Sequence, residues 1–235
     1  MSQPTVLITG GAGFVGRHVV RRLLAPGATD PGATVRLLVH DRRVHVPAGA
    51  PVEVVRGDLC SPRSLRGLCD GVDTLVHLAA QVGGRMERCR AVNVGGTEAL
   101  LAEAARAGVR RIVQLSTAAV YGDGPYRGEA ESDLATAPVS PTSMTRLAAE
   151  ERVRAAGGLV LRPHLVYGEG DTWVIPSLVA LLRRVPHWVD GGRARTSMIA
   201  VDDLAEAVAA RVRGPPPQPA GPGHHASPPE PRRGR

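Results

Sequence analysis

The sequence predicts a doubly wound α/β fold: a parallel sheet with crossover helices on both faces. Three observations carry this. Short β-branched runs alternate with helical patterns of about ten or more residues between Thr5 and Leu204. Most of those runs are continuously apolar, as strands covered on both faces must be. The first run leads straight into a glycine-rich turn that opens a helix.

Taken in order, the strands are expected at Thr5–Thr9, Thr34–Val39, Val52–Arg56, Thr74–Leu78, Arg111–Ser116 and Leu159–Arg162. The helices are expected at Phe14–Leu24, Pro62–Cys69, Val92–Ala107, Pro141–Ala156, Ile175–Arg184 and Asp202–Arg213. Ser61-Pro62 reads as a helix start, with serine as N-cap and proline at the first helical position. Residues 25–33 form a breaker-rich loop. Residues 1–213 are expected to be one domain. Residues 214–235 hold eight prolines and four glycines with few bulky apolar side chains. Such a segment has little burial to offset its ordering entropy, so a disordered tail is expected. The abrupt change of composition suggests a truncated or frame-shifted form of a longer ancestor.

Composition narrows the chemistry. All 29 basic residues are arginine, with no lysine in 235 residues. A P-loop lysine and a Schiff-base amine are therefore both excluded. The net charge of +7 is spread along the chain without basic stripes or interleaved aromatics, so no nucleic-acid partner is expected. Cys60, Cys69 and Cys89 have no C-x-x-C spacing and read as buried free thiols of a cytoplasmic protein with no metal. No apolar run is long enough to span a bilayer, so no membrane partner is expected.

The turn T-G-G-A-G-F-V-G places Gly10, Gly13, Phe14, Val15 and Gly16 between the first strand and the first helix. This Rossmann-type context suits a dinucleotide: a tight turn, close backbone approach to a pyrophosphate, and a helix N-terminus that attracts the anion. The second strand ends in His40-Asp41-Arg42-Arg43. A carboxylate there would accept the ribose hydroxyls of NAD, and arginine would pair with the 2′-phosphate of NADP. Both residue types are present, and the arginines tilt the choice toward NADP.

Further motifs fall in order: Gly57-Asp58-Leu59, His77-Leu78-Ala79-Ala80, Asn93-Val94-Gly95-Gly96-Thr97, Ser116-Thr117-Ala118-Ala119-Val120-Tyr121-Gly122, and Leu161-Arg162-Pro163 running to Val166-Tyr167-Gly168. Together they resemble the extended short-chain dehydrogenase/reductase family of nucleotide-sugar epimerases, dehydratases and ketoreductases, from Val6 to about Ala210. The resemblance implies an NAD or NADP cofactor, contacted also by Asp58, Leu59, Leu78, Ala79, Ala80, Asn93 and Pro163, with Thr117 as the catalytic hydroxyl. It also implies a dTDP- or UDP-linked sugar substrate and a homodimer built on the two helices Val92–Ala107 and Pro141–Ala156. His77, His164 and Tyr121 also fit plain strand-end or turn roles.

The chain departs from that family where a proton must move. The family's Y-x-x-x-K pair falls on Thr142 and Arg146, one helical turn apart. An aliphatic hydroxyl is a poor general acid, and guanidinium does not titrate near neutrality. Arg146 can still hold the cofactor ribose. Tyr126 is the candidate replacement proton donor, with Glu129 and His164 as further candidates. The acid and base of the dehydratases are Ala118 and Ala119 here. Ketone reduction or epimerisation is therefore expected rather than dehydration, with a catalytically impaired NAD(P)-binding sensor or scaffold as the alternative. The resemblance also implies a substrate lobe that is small and incomplete here, at about 167–201, drawn from residues 83–89, 167–192 and 193–201.

Overall fold

The computed structural model describes residues 4–25, 33–42, 44, 46, 48–124, 126–185, 191, 193, 195–214 and 224–226. Most of the predicted 25–33 loop, Arg43 and parts of the lobe segment 186–194 lie outside the described residues.

The main sheet is parallel. Its strands are β1 (Thr5–Thr9), β2 (Thr34–Val39), β3 (Val52–Arg56), β4 (Thr74–His77), β5 (Arg111–Leu115) and β6 (Leu159–Pro163). They lie in the order β3-β2-β1-β4-β5-β6. The chain reverses direction across the sheet between β1 and β4, and the crevice above that point is where doubly wound folds bind ligands.

Helices α1 (Phe14–Leu23) and α6 (Val201–Arg213) cover one face. Val19, Leu23, Leu204 and Val208 are buried there against Ile8, Leu37 and Val76. The helical patterns decide this placement, because the apolar residues of α1 and α6 recur at i, i+3 and i+4. Charge pairs at the rim join the two helices, including Arg21 with Asp202 and Arg22 with Glu206. On the other face, Leu65, Leu68, Leu100 and Val153 close over Leu7, Leu75 and Val160. Helix α4 (Pro141–Ala155) lies on that side. It begins with a reciprocal cap in which Ser140 and Ser143 exchange side-chain and backbone hydrogen bonds.

Several elements differ from the sequence expectation. The helix expected over Pro62–Cys69 is only a 3-10 turn at Pro62–Leu65. Arg66 turns extended and Gly67 adopts φ +76°, which ends it. The helix expected from Val92 starts earlier, as α2 (Met86–Cys89), a π-helical segment at Arg90–Gly95, and α3 (Gly96–Ala107). Two short strands that the sequence does not announce, β7 (Leu165–Tyr167) and β8 (Met198–Ala200), pair in parallel beyond Pro163. From them rises α5 (Val174–Arg184), which has no buried residue.

The tail also departs from its expected lack of structure at three residues. β9 (His224–Ala226) pairs in parallel with Leu161–Pro163 of β6. Edge pairing uses backbone hydrogen bonds, which need no apolar side chains and so escape a composition argument. Among the described residues no helix is long and apolar enough to cross a membrane. Cys69 and Cys89 are buried, but Cys60 is half-exposed rather than buried. Burial pushes the Cys69 thiol up to about 12.

Candidate functional site

The site begins at the β1–α1 turn. Gly10 sits at φ +73° and its carbonyl accepts the Gly13 N–H at 2.9 Å. A Cβ on Gly10 would stand 2.6 Å from the backbone nitrogen of Ala79, and a Cβ on Gly16 would stand 2.0 Å from the Gly10 carbonyl oxygen. Only bare backbone fits at both contacts. The close approach opens a groove of about 370 Å³ above the turn, lined there by Gly10, Ala12 and Gly13, the last being the residue before α1.

The groove brings together most of the predicted cofactor residues. Gly10 and Gly13 line its centre, Asp41 and Arg42 one end, Asp58 and Leu59 the base of that end, and Leu78, Ala79 and Ala80 the far wall. Phe14, Val15 and Gly16 are not on the lining. They shape the first turn of α1, where Phe14 packs edge-on against His18 at 6.0 Å. Thr9, His40, Gln81, Arg88 and Val92 also line the groove and were missed from sequence. Thr9 was within reach, since it adjoins the first glycine; Arg88 carries no motif.

A buried relay fixes the far wall. The Thr97 hydroxyl donates to the Asn93 carbonyl at 2.6 Å, so it accepts from His77 Nε2–H at 2.9 Å. His77 Nδ1 is then an acceptor, taking the Thr9 hydroxyl proton at 2.7 Å, and Thr9 Oγ1 accepts the Ala79 N–H at 3.2 Å. The relay requires neutral His77. Burial, reinforced by the charge of Arg146, lowers its pKa to about 4. His77 therefore holds Ala79 in place, which matches its plain strand-end reading.

Asn93 lies behind the wall rather than on it. Its side chain accepts the Gln81 N–H at 2.7 Å and donates to the Gln81 carbonyl and to Thr145. Through these bonds Asn93 positions Gln81, which lines the groove. Thr117 caps the 3-10 turn Ala118–Tyr121 and its hydroxyl oxygen accepts the Ala119 N–H at 3.2 Å. Beside it, Ser116 Oγ is buried without a hydrogen-bond partner among the described residues. Pro163 is buried at the end of β6, and His164 is exposed with Nδ1 donating to the Ser197 carbonyl at 2.9 Å.

At the altered pair, Thr142 Oγ1 accepts the Gly83 N–H at 2.8 Å. Arg146 donates to the Leu115 carbonyl at the end of β5. Burial lowers the Arg146 pKa to about 10, partly offset by Glu150, so it stays cationic near neutrality. Tyr126, expected as the replacement proton donor, is exposed. Its hydroxyl donates to the Gly122 carbonyl at 2.6 Å, and burial with the charges of Asp123 and Glu129 raises its pKa. A phenol moved upward is a weaker proton donor near neutrality. Glu129 is exposed, and backbone N–H groups, chiefly that of Arg127, hold its carboxyl below the usual range.

Behind the site, Glu150 and Arg162 form a buried ion pair with Nε–Oε2 at 3.0 Å, and Arg162 donates to Tyr121 Oη at 2.7 Å. This ties α4 to β6 and explains the glutamate in the S-P-x-x-x-x-R-x-x-x-E stretch. Among the described residues no cluster of three or more His, Cys, Asp or Glu is placed to hold a metal.

The sequence profile of the NAD dependent epimerase/dehydratase family matches residues 6–219. A ketoreductase of 4-hydroxy-2-methyl-3-oxo-4-farnesyl-3,4-dihydroquinoline-1-oxide from Stigmatella aurantiaca is 34% identical over 220 residues, covering 88% of this chain and 64% of that protein. A ceramide reductase from Caulobacter vibrioides is 36% identical over 215 residues, covering 89% of this chain and 61% of that protein. The chain thus spans less than two thirds of the length of these two relatives. The structure of DesIV, a dTDP-glucose 4,6-dehydratase from Streptomyces venezuelae with NAD bound, superposes with a TM-score of 0.76 at 28% identity, covering 94% of this chain and 74% of that one. The glycine turn, the groove above it and these likenesses agree: the chain belongs to the NAD-dependent epimerase/dehydratase family of extended short-chain dehydrogenases/reductases.

Proposed function

We propose that the chain binds NAD or NADP in the groove and uses it for oxidoreduction or epimerisation at a ketone or secondary-alcohol carbon. The observation that supports this most is the approach of Gly10 to Ala79, a backbone cradle that any Cβ would fill. The cofactor, when bound, supplies hydride exchange. The chain supplies the rest. The N–H groups at the start of α1 would hold the pyrophosphate. Asp41 would take the ribose hydroxyls and Arg42 a 2′-phosphate, with NADP slightly favoured because the cation lines the same end. Thr117 would present its hydroxyl to the substrate oxygen, and Arg146 would hold positive charge at the end of β5.

The nucleotide-linked sugar remains the substrate class favoured by the motif order, and DesIV supports it as a dTDP-glucose enzyme. Ala118 and Ala119 argue for reduction or epimerisation over dehydration. A homodimer through α3 and α4 belongs to the same reading. A second reading, a dinucleotide-binding sensor or scaffold without turnover, is favoured by one observation: the residue in the tyrosine position spends its oxygen on Gly83.

Fluorescence titration with NADH and NADPH, followed by single-turnover oxidation with a dTDP- or UDP-4-keto sugar, tests both. Turnover supports the enzyme; tight binding without oxidation of any ketone offered, long-chain keto compounds included, supports the sensor. Absence of dinucleotide binding overturns both.

A further inference from the structure

The adenosine end of the groove carries arginines on two walls. Arg42 follows β2, and Arg88 projects from α2. Leu38, Leu59 and Val92 supply apolar lining of the same groove, beside the polar His40, Asp41 and Asp58. Arg88 precedes Val92 by four residues, and both face the groove. The Arg88 Nη1 lies 3.9 Å from Cys60 Sγ in the loop after β3, so the side chain reaches from the helix to that loop. Cys60 is held there by its N–H, which donates to Asp58 Oδ1 at 2.9 Å. Among the described residues no carboxylate pairs with Arg88, and the thiol contact is its one polar contact.

A flat cation above an apolar slot matches one chemistry well. Guanidinium stacks on aromatic rings and is more weakly hydrated than ammonium, so it can lie against a base without a large desolvation cost. We infer that Arg88 is a cofactor-binding residue that covers the adenine ring of the dinucleotide from the α2 side, closing a slot floored by Leu59 and Val92. Arg42, on the β2 wall, is then left for the ribose or its 2′-phosphate. The inference rests on the dinucleotide reading of the groove. It adds a residue outside the glycine turn and the strand-end motifs.

The test is NADH and NADPH fluorescence titration, with displacement by ADP-ribose, on the full chain and on Arg88→Ala and Arg88→Lys, each checked by thermal melting. Arg88→Ala is expected to weaken NADH, NADPH and ADP-ribose by a similar factor, roughly three- to thirtyfold. Arg88→Lys keeps the charge but loses the plane, and is expected to recover less than half of that loss on a logarithmic scale. Unchanged affinity in Arg88→Ala overturns the assignment of Arg88 while leaving the groove intact. A loss confined to NADPH also overturns it, because the residue would then read the phosphate and not the base. Failure of the unsubstituted chain to bind any of the three overturns the dinucleotide reading itself.

Discussion

Thr142 Oγ1 accepts the backbone N–H of Gly83 at 2.8 Å, joining the start of α4 to the loop that follows β4. Gly83 and Gly84 both adopt positive φ, +71° and +96°, so that loop folds back tightly toward the helix. The position expected to carry the proton is thus a latch in this structure. Removing its acceptor leaves a part-buried N–H unpaired. Thr142→Val is expected to lower stability by about 1 kcal/mol, and Thr142→Ser to restore it. Urea denaturation of the three proteins, with hydrogen exchange read at Gly83, checks this.

The glycine turn allows a controlled comparison. Gly10 and Gly49 have nearly the same φ, +73° and +78°, but a Cβ at Gly10 meets Ala79 backbone whereas one at Gly49 meets nothing within 4 Å among the described residues. Gly49→Ala is expected to cost about 1–2 kcal/mol, the left-handed strain alone. Gly10→Ala should cost at least about 1–2 kcal/mol more, because the strand end must shift, and should weaken NADH binding. Equal costs for the two variants would show that the close approach carries no strain.

The Glu150–Arg162 pair is nearly sealed, with side chains 0% and 4% exposed. Cutting one partner leaves an unpaired buried charge, a loss of roughly 3–5 kcal/mol. Glu150→Gln should therefore be far more damaging than substitution of the exposed Glu98, whose pairing with Arg152 is a surface one worth less than about 1 kcal/mol. Chemical denaturation midpoints separate the two. Full stability in Glu150→Gln would mean that Arg162 finds another counter-charge.

Residues such as Gly10 and Ile8 were legible because their signals are local: a β-branched run is apolar on both faces, and a glycine turn announces a position no side chain can fill. Arg88 and Thr142 were not, because their roles depend on which loop lies opposite. Nothing in M-E-R-C says that Cys60 lies beside Arg88, and nothing in S-P-T says that Gly83 donates to the threonine. Asn93 was legible as part of its motif, but its bonds to Gln81 and Thr145 were not, since they depend on which loop and helix pack beside it. The helix expected at Pro62–Cys69 had a good start signal in Ser61-Pro62, yet Gly67 ends it after one turn.

Two groups pull stability in opposite directions over one pH range. His77, lowered to about 4 from about 6.5, stays neutral in the fold while the unfolded chain takes up a proton, so its contribution is lost as pH falls from about 6.5 toward 4. Glu131 is raised to about 7 by burial, only partly offset by Arg162 and Arg154. It keeps its proton in the fold where the unfolded chain loses it, so stability falls as pH rises from about 4.5 to 7. Glu131→Gln removes the second effect. Its stability is expected to rise relative to the unsubstituted protein across that window and to converge with it near pH 4, as read from urea midpoints. Parallel curves would show that Glu131 titrates normally.

The altered pair yields the most discriminating prediction about chemistry. Thr142 and Arg146 are separated by one turn of α4, and the Arg146 guanidinium already reaches the end of β5, one residue short of the Ser116-Thr117 strand end. A tyrosine and a lysine in their places would put a titratable phenol beside an ammonium, which lowers the phenol pKa and supplies general acid catalysis worth about 10²–10⁴ in rate. The cost is the Gly83 latch, about 1 kcal/mol, which a folded domain tolerates. Thr142→Tyr with Arg146→Lys is therefore expected to accelerate single-turnover NADH oxidation by that factor and to introduce a new ionisation in its pH profile. Tyr126→Phe should leave the rate unchanged, since that hydroxyl is bonded to Gly122. If the double variant binds NADH normally and shows no gain, proton transfer does not pass through this turn of α4, and the binding-only reading of the chain becomes the stronger one.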